Sequence, residues 1–382
     1  MRVSERLKQL RENRNLTIED VARGIKVNPA WLESWEDGSR TVPVNIIFDV
    51  IDFYDLRAAE LLDGIDFAEE VQFPRRSFDL VETNGKLSME FDYNDYRAEL
   101  PLKGVREQDA LKELEVFRER LAKDGKSDAI AATFLDLVRK WPDVNPADIW
   151  FFFIHRAYLD RYLHKVENEK RDMGQSWKRS AGWAFERVIV DYYNPLFKPH
   201  GVRLLLPEKK NKKVLIERLG LNDSSVSDKA DIYIVTGQKE KVRVHGVVHA
   251  KVSIAERRSD DEPLSWLLLD KGLLSPLVTL DAKAFPGTRP VVKGEYGPVI
   301  TEAVVGSEKR RAVEEKGAFS NVYSFNSNTI PTPENVQAKA RIYTISFSGT
   351  EDQFVHDVVE FVTSTRHTSV EAKVDETKEV GR

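Results

Sequence analysis

The chain has 382 residues, enough for two or three domains that each bury a core, and its 58 basic and 63 acidic residues give a net charge of −5. It has no cysteine, which excludes disulfides, Cys-ligated zinc, iron–sulfur clusters and thiol nucleophiles. The longest apolar stretch is far shorter than the roughly 20 residues of a membrane helix, and the N-terminus lacks the apolar region of a signal peptide. We therefore expect a cytoplasmic protein without a membrane segment.

Residues 1–65 are predicted to form a bundle of short helices. Thr17 and Asp20 have the spacing of an N-cap and its capping-box partner, and a further helix begins at Asn28 or Pro29 and ends at Gly38. The pattern L-x-x-L-R-x-x-x-x-L-T-x-E-x-V-A, followed by W-L-x-x-W-E-D-G, resembles the helix-turn-helix of the phage-repressor type. We expect this segment to be a domain of its own.

The resemblance implies that the groove-facing residues are Asn28, Ala30, Glu33 and Ser34. None of these is a lysine or arginine, so a structural or protein-contact role for the segment stays open beside DNA binding. Positive side chains that could hold phosphates lie elsewhere in the segment. They are Lys8, Arg11, Arg14, Arg23 and Lys26.

Residues 66–170 are predicted to be a hairpin followed by a helical linker or dimerisation region. Apolar and polar residues alternate over 76–81 and 86–96, with Thr83-Asn84-Gly85 between them, which is typical of a β-hairpin. Helical periodicity follows at 105–121, 127–141 and 146–166. The last segment contains four consecutive aromatic residues, which favour core packing or a dimer interface over base stacking.

Residues 171–365 alternate helices and strands, and residues 366–382 have few apolar residues and are predicted to be disordered. A helix at 175–193 carries Glu186, and a basic loop at 209–213 follows a strand at 202–206. Strands are predicted at 230–235, 242–252, 277–281 and 338–347, and helices at 265–271 and 352–362.

Two of these strands carry residues suited to phosphodiester chemistry. Asp231 begins one strand, and Lys251 lies near the end of the next, so antiparallel pairing would bring the two side chains together. Hydrolysis of a phosphodiester needs a carboxylate and a carbonyl that hold Mg²⁺ and a lysine that steadies the attacking water. The sequence therefore predicts a metal-dependent hydrolytic site at this edge of the sheet.

This arrangement resembles the PD-(D/E)-x-K nucleases, and more narrowly the type II restriction endonucleases that read CCGG-centred or CC-x-GG sites. The narrower signature is K-x-S-x-x-E-R, here beginning at Lys251. The resemblance implies an α/β (α+β) restriction-endonuclease-like core, with a central mixed sheet flanked by helices, beside the all-α helix-turn-helix domain. It also implies that Glu256 and Arg257 read G·C pairs, and that Arg258 is a second guanine contact or phosphate clamp.

The metal ligands that the resemblance implies are Asp231 and the Ala250 carbonyl, together with one further acid. His249 stands where most members have Asp or Glu, so that acid must come from elsewhere. Glu186 on the predicted helix 175–193 is the preferred candidate, and Glu262, eleven residues past Lys251, is the alternative. Relatives often carry Arg in place of Ala255, which leaves the base pairs that are read open.

The function implied is that of a Mg²⁺-dependent endonuclease cutting double-stranded DNA at a short palindrome, with staggered ends bearing 5′-phosphate and 3′-hydroxyl groups. A palindrome read by one site per chain implies a homodimer, which could pair into a tetramer. The resemblance also implies a cognate DNA methyltransferase in the same system. The alternatives are a helix-turn-helix transcriptional regulator with an inactive nuclease-like domain, and a modification-dependent or nicking nuclease.

Overall fold

The computed structural model divides the chain into two units, Met1–Ser77 and Phe78–Arg382. It describes residues 3–25, 27–39, 42, 44–56, 61, 78–93, 96–160, 163–164, 172–207, 209–221, 229–237, 242–254, 258–301, 304–364 and 370–372. Among these residues, no helix is both long enough and apolar enough to cross a membrane.

The N-terminal unit is a helical bundle around its own apolar core. The predicted capping box is confirmed: the Asp20 N–H donates to Thr17 Oγ1 over 3.1 Å, and the Thr17 N–H donates to the Asp20 carboxylate over 3.2 Å. Ala22 and Val50 are fully buried where neighbouring helices pack closely. The described helices are α1 (Val3–Asn13), α2 (Ile18–Gly24), α3 (Pro29–Glu36) and α4 (Val44–Tyr54).

The second unit begins with a three-stranded antiparallel sheet in which each strand pairs with the next along the chain. Asn84 and Gly85 turn the predicted hairpin with φ angles of 52° and 71°, as a tight two-residue turn between antiparallel strands requires. The third strand was not predicted. The strands are β1 (Asp79–Thr83), β2 (Lys86–Tyr93) and β3 (Tyr96–Leu102).

Helices then lead into a larger sheet. The four consecutive aromatic residues lie in a π-helical turn, Ile149–Ile154, and three of them are fully buried, so they contribute to the core as expected. The helices before the larger sheet are α5 (Glu107–Lys123), α6 (Lys126–Lys140), α7 (Pro146–Asp148) and α8 (His155–Leu159). Those around it are α9 (Met173–Phe197), α10 (Lys209–Arg218), α11 (Arg258–Asp270), α12 (Glu308–Glu314) and α13 (Gln353–Thr363).

The larger sheet is mixed and has helices packed on it, as the sequence predicts. In the order β4-β5-β6-β7-β8-β9, the pairs β4–β5 and β5–β6 are antiparallel, and the pairs β6–β7, β7–β8 and β8–β9 are parallel. The strands are β4 (Val202–Leu205), β5 (Ile232–Thr236), β6 (Val242–Lys251), β7 (Leu277–Thr279), β8 (Val322–Ser324), β9 (Ile342–Thr344) and β10 (Val370–Ala372).

The predicted boundary between residues 170 and 171 is not a break in the core. One apolar cluster extends from Phe78 to Val358 and includes both the hairpin region and the larger sheet. Trp150 packs edge-on against Phe185 of α9, with ring centroids 5.8 Å apart. The apolar faces of the hairpin and of α5 to α8 are therefore buried against the elements that follow them, because a sheet needs a second layer to cover its apolar face.

Two further segments differ from the prediction. The basic segment 209–213 is not a loop but the first turns of α10, whose Leu215 is fully buried against the sheet. The tail predicted to be disordered contains β10, which pairs antiparallel with the start of β6. Both segments gain an ordered structure from a tertiary partner that local composition does not reveal.

Gly246 of β6 lies against the chain that leads into β7, and a Cβ at this position would be 2.2 Å from the Leu274 carbonyl oxygen. We expect Gly246→Ala to lower the free energy of unfolding by about 1–3 kcal/mol, because a backbone atom cannot move aside cheaply. The measurement is urea unfolding followed by circular dichroism.

Gly182 of α9 is the matched control, since nothing lies within 4 Å of a Cβ there. Gly182→Ala should raise the free energy of unfolding by about 0.5–1 kcal/mol through the higher helix propensity of alanine. Equal stability of the two variants would contradict the steric argument for Gly246.

Candidate active site

The predicted pair Asp231 and Lys251 lies on one face of the larger sheet. Ile232 at the start of β5 pairs with Val248 of β6, so Asp231 comes opposite His249, two residues before Lys251. Because side chains alternate along a strand, Asp231, His249 and Lys251 point to the same face. Antiparallel pairing thus brings the two ends of these strands together, as the sequence analysis expects.

The helices that cover this face are α10 and α11. Tyr233 and Val247, on the same face as Asp231 and Lys251, share an apolar cluster with Leu215 of α10 and with Leu264 and Leu268 of α11. The opposite face carries Val248 and Ala250, which pack in the cluster that contains α9. The sheet therefore separates the Lys251 side from the helix that carries Glu186.

Lys251 pairs with Asp261, an acid that the sequence analysis did not select. The Lys251 Nζ lies 3.2 Å from the Asp261 Oδ1, and the Nδ1 of His249 lies 3.8 Å from the same oxygen. Asp261 is 3% exposed. Burial alone would raise the pKa of Asp261, but the neighbouring side chains of His249 and Lys251 outweigh it and lower that pKa. Asp261 is therefore a buried anion at the end of β6.

His249 is fixed by a chain of polar side chains below it. Its Nε2 lies 2.9 Å from the Ser275 hydroxyl, which itself donates to the Ser265 hydroxyl over 2.7 Å. Since Ser275 uses its proton towards Ser265, the Nε2 of His249 is the donor in the first of these bonds. This bond orients the imidazole so that its Nδ1 faces the Oδ1 of Asp261.

Asp231 is half-buried and pairs with Lys212 of α10, whose Nζ lies 3.0 Å from its Oδ1. The Lys251 carbonyl accepts from the Leu280 N–H on the β7 side, so the Ala250 carbonyl faces the β5 side. The pairing of β5 ends at Ile232, opposite Val248. The Ala250 carbonyl consequently lies just past the paired part of β5, next to Asp231.

These donors fit a divalent cation that prefers oxygen. The Asp231 carboxylate and the Ala250 carbonyl lie at adjacent strand ends, and the Asp261 carboxylate lies beside Lys251, with its buried Oδ1 making no hydrogen bond. Over the part of the chain that the structure describes, no three His, Asp or Glu side chains are grouped to hold a metal. Mg²⁺ is usually held by one or two carboxylates while water and substrate complete its shell, so this sparse donor set suits it.

Glu186 and Glu262 have different places in the fold. Glu186 lines a cavity of about 600 Å³ along α9, together with Lys178, Arg179 and Trp183. Glu262 follows Asp261 in α11, and it is Asp261 whose carboxylate approaches Lys251. The acid of α11 that approaches Lys251 is thus the neighbour of Glu262, the alternative candidate from the sequence.

Glu256 and Arg257, the residues predicted to read G·C pairs, lie outside the described residues. Arg258 is the first residue of α11, and its side chain is not described. Their roles remain predictions.

Three of the residues predicted to face DNA, Asn28, Ala30 and Glu33, are exposed, and two of the predicted phosphate contacts bond to other residues of the bundle. Asn28 caps α3 by accepting from the Ala30 N–H over 3.0 Å, and Ala30 and Glu33 lie on the exposed side of the helix. Arg11 binds the buried Glu36 through two nitrogens, at 2.8 and 2.7 Å, and Arg14 donates to the Tyr54 carbonyl. Lys8 and Arg23 are exposed, and Lys26 lies outside the described residues.

Asp281 is a second buried acid near the end of the sheet. It accepts from the Glu295 N–H over 2.7 Å and from the Thr329 hydroxyl over 2.6 Å, and its φ angle is 46°. Burial is the main cause that raises the pKa of Asp281 to about 7. Its hydrogen bonds hold the loop that contains Glu295 against the sheet.

Comparison with known proteins finds relatives of one class. The family profile of a helix-turn-helix domain matches residues 2–63. The type II restriction enzyme AgeI of Thalassovita gelatinovora is 36% identical to this chain over 243 residues, which are 61% of this chain and 83% of that enzyme.

A solved structure agrees with this relationship. The crystal structure of a specific complex of restriction endonuclease AgeI with DNA matches at a TM-score of 0.63 and 34% identity, covering 72% of this chain and 99% of that one. A pre-specific complex of restriction endonuclease BsaWI with DNA matches at a TM-score of 0.36 and 20% identity, covering 66% of this chain and 90% of that one. The second likeness is too distant to support an argument.

The raised pKa of Asp281 gives the stability of the protein a pH dependence. Between the unfolded value near 4 and the folded value of about 7, the folded state holds a proton that the unfolded state releases, so stability falls as pH rises. Relative to Asp281→Asn, the wild-type protein should lose about 2–3 kcal/mol of unfolding free energy between pH 5 and pH 8. Asparagine is suitable because it tolerates the positive φ angle.

The measurement is urea unfolding of both proteins across that pH range. The exposed Asp124 provides the control variant Asp124→Asn, whose profile should follow that of the wild type. Parallel profiles for wild type and Asp281→Asn would show that Asp281 does not retain its proton.

Proposed function

This chain belongs to the type II restriction enzymes, which are site-specific deoxyribonucleases, and we propose that it cuts double-stranded DNA at a short palindrome with a CCGG-like or CC-x-GG core. The observation that carries the proposal is the Lys251–Asp261 pair at the end of β6, on the same sheet face as Asp231. A lysine that pairs with one carboxylate, on the sheet face that also carries a second carboxylate, suits metal-assisted hydrolysis of a phosphodiester.

Asp231, Asp261 and the Ala250 carbonyl are the groups that would hold Mg²⁺. In this proposal Asp261 takes the position for which the sequence favoured Glu186, and it substitutes for the carboxylate missing at His249. Bound Mg²⁺ supplies polarisation of the phosphate and a lower pKa for a coordinated water. The support is that both carboxylates are anchored by lysines on the same face of the sheet.

The side chains around this site have separate tasks. Lys251 orients the water for attack in line with the leaving 3′-oxygen, which gives 5′-phosphate and 3′-hydroxyl ends. His249 lies beside Asp261, with its ring anchored by Ser275. Lys212, beside Asp231, adds positive charge where the phosphate must approach.

Glu256 and Arg257 would read the G·C pairs of the site in the major groove, and Arg258 would be a second guanine contact or a phosphate clamp. Since each chain reads one half of a palindrome, the active form would be a twofold homodimer, with pairing into a tetramer as a further possibility. A DNA methyltransferase of the same specificity would protect the host DNA. Asn28, Ala30 and Glu33 of the N-terminal unit would add a second contact with the duplex.

The proposed function is tested by digesting unmethylated phage DNA with the protein and Mg²⁺, followed by sequencing of the fragment ends. We expect discrete ends at one palindrome with a CCGG-like core and a 5′ stagger. DNA binding without cleavage under these conditions would instead indicate a regulator with an inactive nuclease-like domain.

Substitutions at the site should separate Asp261 from Glu186. We expect Lys251→Ala and Asp261→Asn each to slow single-turnover cleavage by about 10²–10⁴-fold while DNA binding persists, because both act on the reacting groups. Glu186→Gln should change the rate much less, since Glu186 lies on α9, which packs on the sheet face opposite to Lys251.

Lys213→Ala is the matched control for Lys251→Ala, because Lys213 is an exposed lysine on α10. It should cleave at the wild-type rate. Cleavage retained by Lys251→Ala would contradict the assignment of the site, and a larger loss in Glu186→Gln than in Asp261→Asn would assign the second metal-binding carboxylate to Glu186 instead of Asp261.

A further inference from the structure

The residues at the end of β6 and just after it, before Glu256 and Arg257, are hydrogen-bonded to the segment that follows β7. The Leu280 N–H donates to the Lys251 carbonyl over 3.2 Å, and the Ala282 N–H donates to the Val252 carbonyl over 2.9 Å. These bonds continue the contact with the β7 side beyond the end of the strand. The backbone is therefore fixed as far as Val252 by main-chain bonds alone.

The next two residues are held by a single side chain, that of Glu295. Its Oε1 accepts from the Ser253 hydroxyl over 2.7 Å and from the Ile254 N–H over 2.8 Å. We call these two hydrogen bonds to Glu295 the clamp. Ile254 is 3% exposed, so the clamp lies at a buried position. One carboxylate oxygen thus fixes the last described residues before the predicted readout pair.

Glu295 has further partners besides Ser253 and Ile254. Lys309 of α12 bonds to its other carboxylate oxygen, and its N–H donates to the buried Asp281. Gly294 before it has a φ angle of 84°, and a Cβ there would be 2.7 Å from the Asp281 carboxylate. Glu295 is 6% exposed. A buried carboxylate with this many partners has little freedom to move.

We propose that Glu295 is a positioning residue for sequence discrimination, acting through Ser253 and Ile254 on the readout segment. The inference rests on the proposed function, in which Glu256 and Arg257 read the base pairs. A bidentate contact between arginine and guanine needs donor–acceptor distances near 2.7–3.2 Å, so the arginine must start from a fixed backbone. Arg257 is three residues past Ile254, which leaves a short path from the clamp to the base edge.

The proposal separates discrimination from affinity. Non-specific binding depends on phosphate contacts and counterion release, which do not require a precise readout segment. Loss of the clamp should therefore lower the preference for the cognate site and leave the affinity for unrelated duplex unchanged. A purely structural role would lower the unfolding temperature and would affect cleavage of all sites equally.

The test compares the wild type with Glu295→Gln. Glutamine keeps the size of the side chain but loses the charge that binds Lys309 and one of the two acceptor oxygens. The readout is the ratio of cleavage rates on the cognate palindrome and on duplexes altered at one base pair. We expect this ratio to fall by about tenfold or more, within the range that one good base contact contributes, at unchanged non-specific affinity.

Two variants keep the test decisive. Glu315→Gln changes an exposed glutamate just after α12 and should discriminate as the wild type does. Ser253→Ala removes one donor to the clamp and leaves the Ile254 N–H in place, so it should lower the ratio less than Glu295→Gln. If Glu295→Gln does not fold, unchanged discrimination in Ser253→Ala overturns the proposal.

Arg257→Ala distinguishes failure of the inference from failure of the proposed function. If Glu295 acts through the readout segment, the double variant Glu295→Gln/Arg257→Ala should discriminate no worse than Arg257→Ala alone. Wild-type discrimination in Glu295→Gln overturns the inference while the function stands. Unchanged discrimination in Arg257→Ala rejects the proposed readout pair, and Glu295→Gln then still shows whether the clamp controls specificity.

Discussion

A buried negative charge at the end of β6 determines how this part of the molecule is built. Asp261 is removed from water, and an unpaired carboxylate there would be costly, so Lys251 must lie beside it. The pairing of Asp261 with Lys251 therefore requires α11 to pack against the end of β6. The sheet edge, the helix and the polar chain through Ser275 and Ser265 consequently form one arrangement rather than three independent ones.

The topology explains why chemistry collects at this edge. β6 is antiparallel to β5 and parallel to β7, so it is the strand at which the pairing of the sheet changes. The pairing of β5 with β6 ends at Ile232 and Val248, whereas β6 continues to Lys251. The Ala250 carbonyl therefore lies past the paired part of β5. The main-chain oxygen of Ala250 and the side-chain oxygens of Asp231 thus lie next to each other, among buried residues that hold them in place.

Sequence reasoning succeeds here where local physics decides and fails where a distant partner decides. The cap at Thr17 and the common face of Asp231 and Lys251 follow from local bonding and strand alternation, and both could be predicted. Asp261 could not be chosen over Glu262, because helix rotation depends on how α11 packs. The helical segment α10 and the strand β10 depend in the same way on contacts with the sheet.

The division of the chain into two units, each with its own apolar core, has a consequence for how such a protein can change over generations. A unit that buries its own apolar side chains can be gained, lost or exchanged by recombination without repacking the other. The hairpin and helices from Phe78 onward lack this independence, because Trp150 and its neighbours complete the core of the larger sheet. We therefore expect gain, loss or exchange of a whole domain at the N-terminal unit. In the hairpin region, we expect core substitutions to be accompanied by compensating substitutions in the larger sheet.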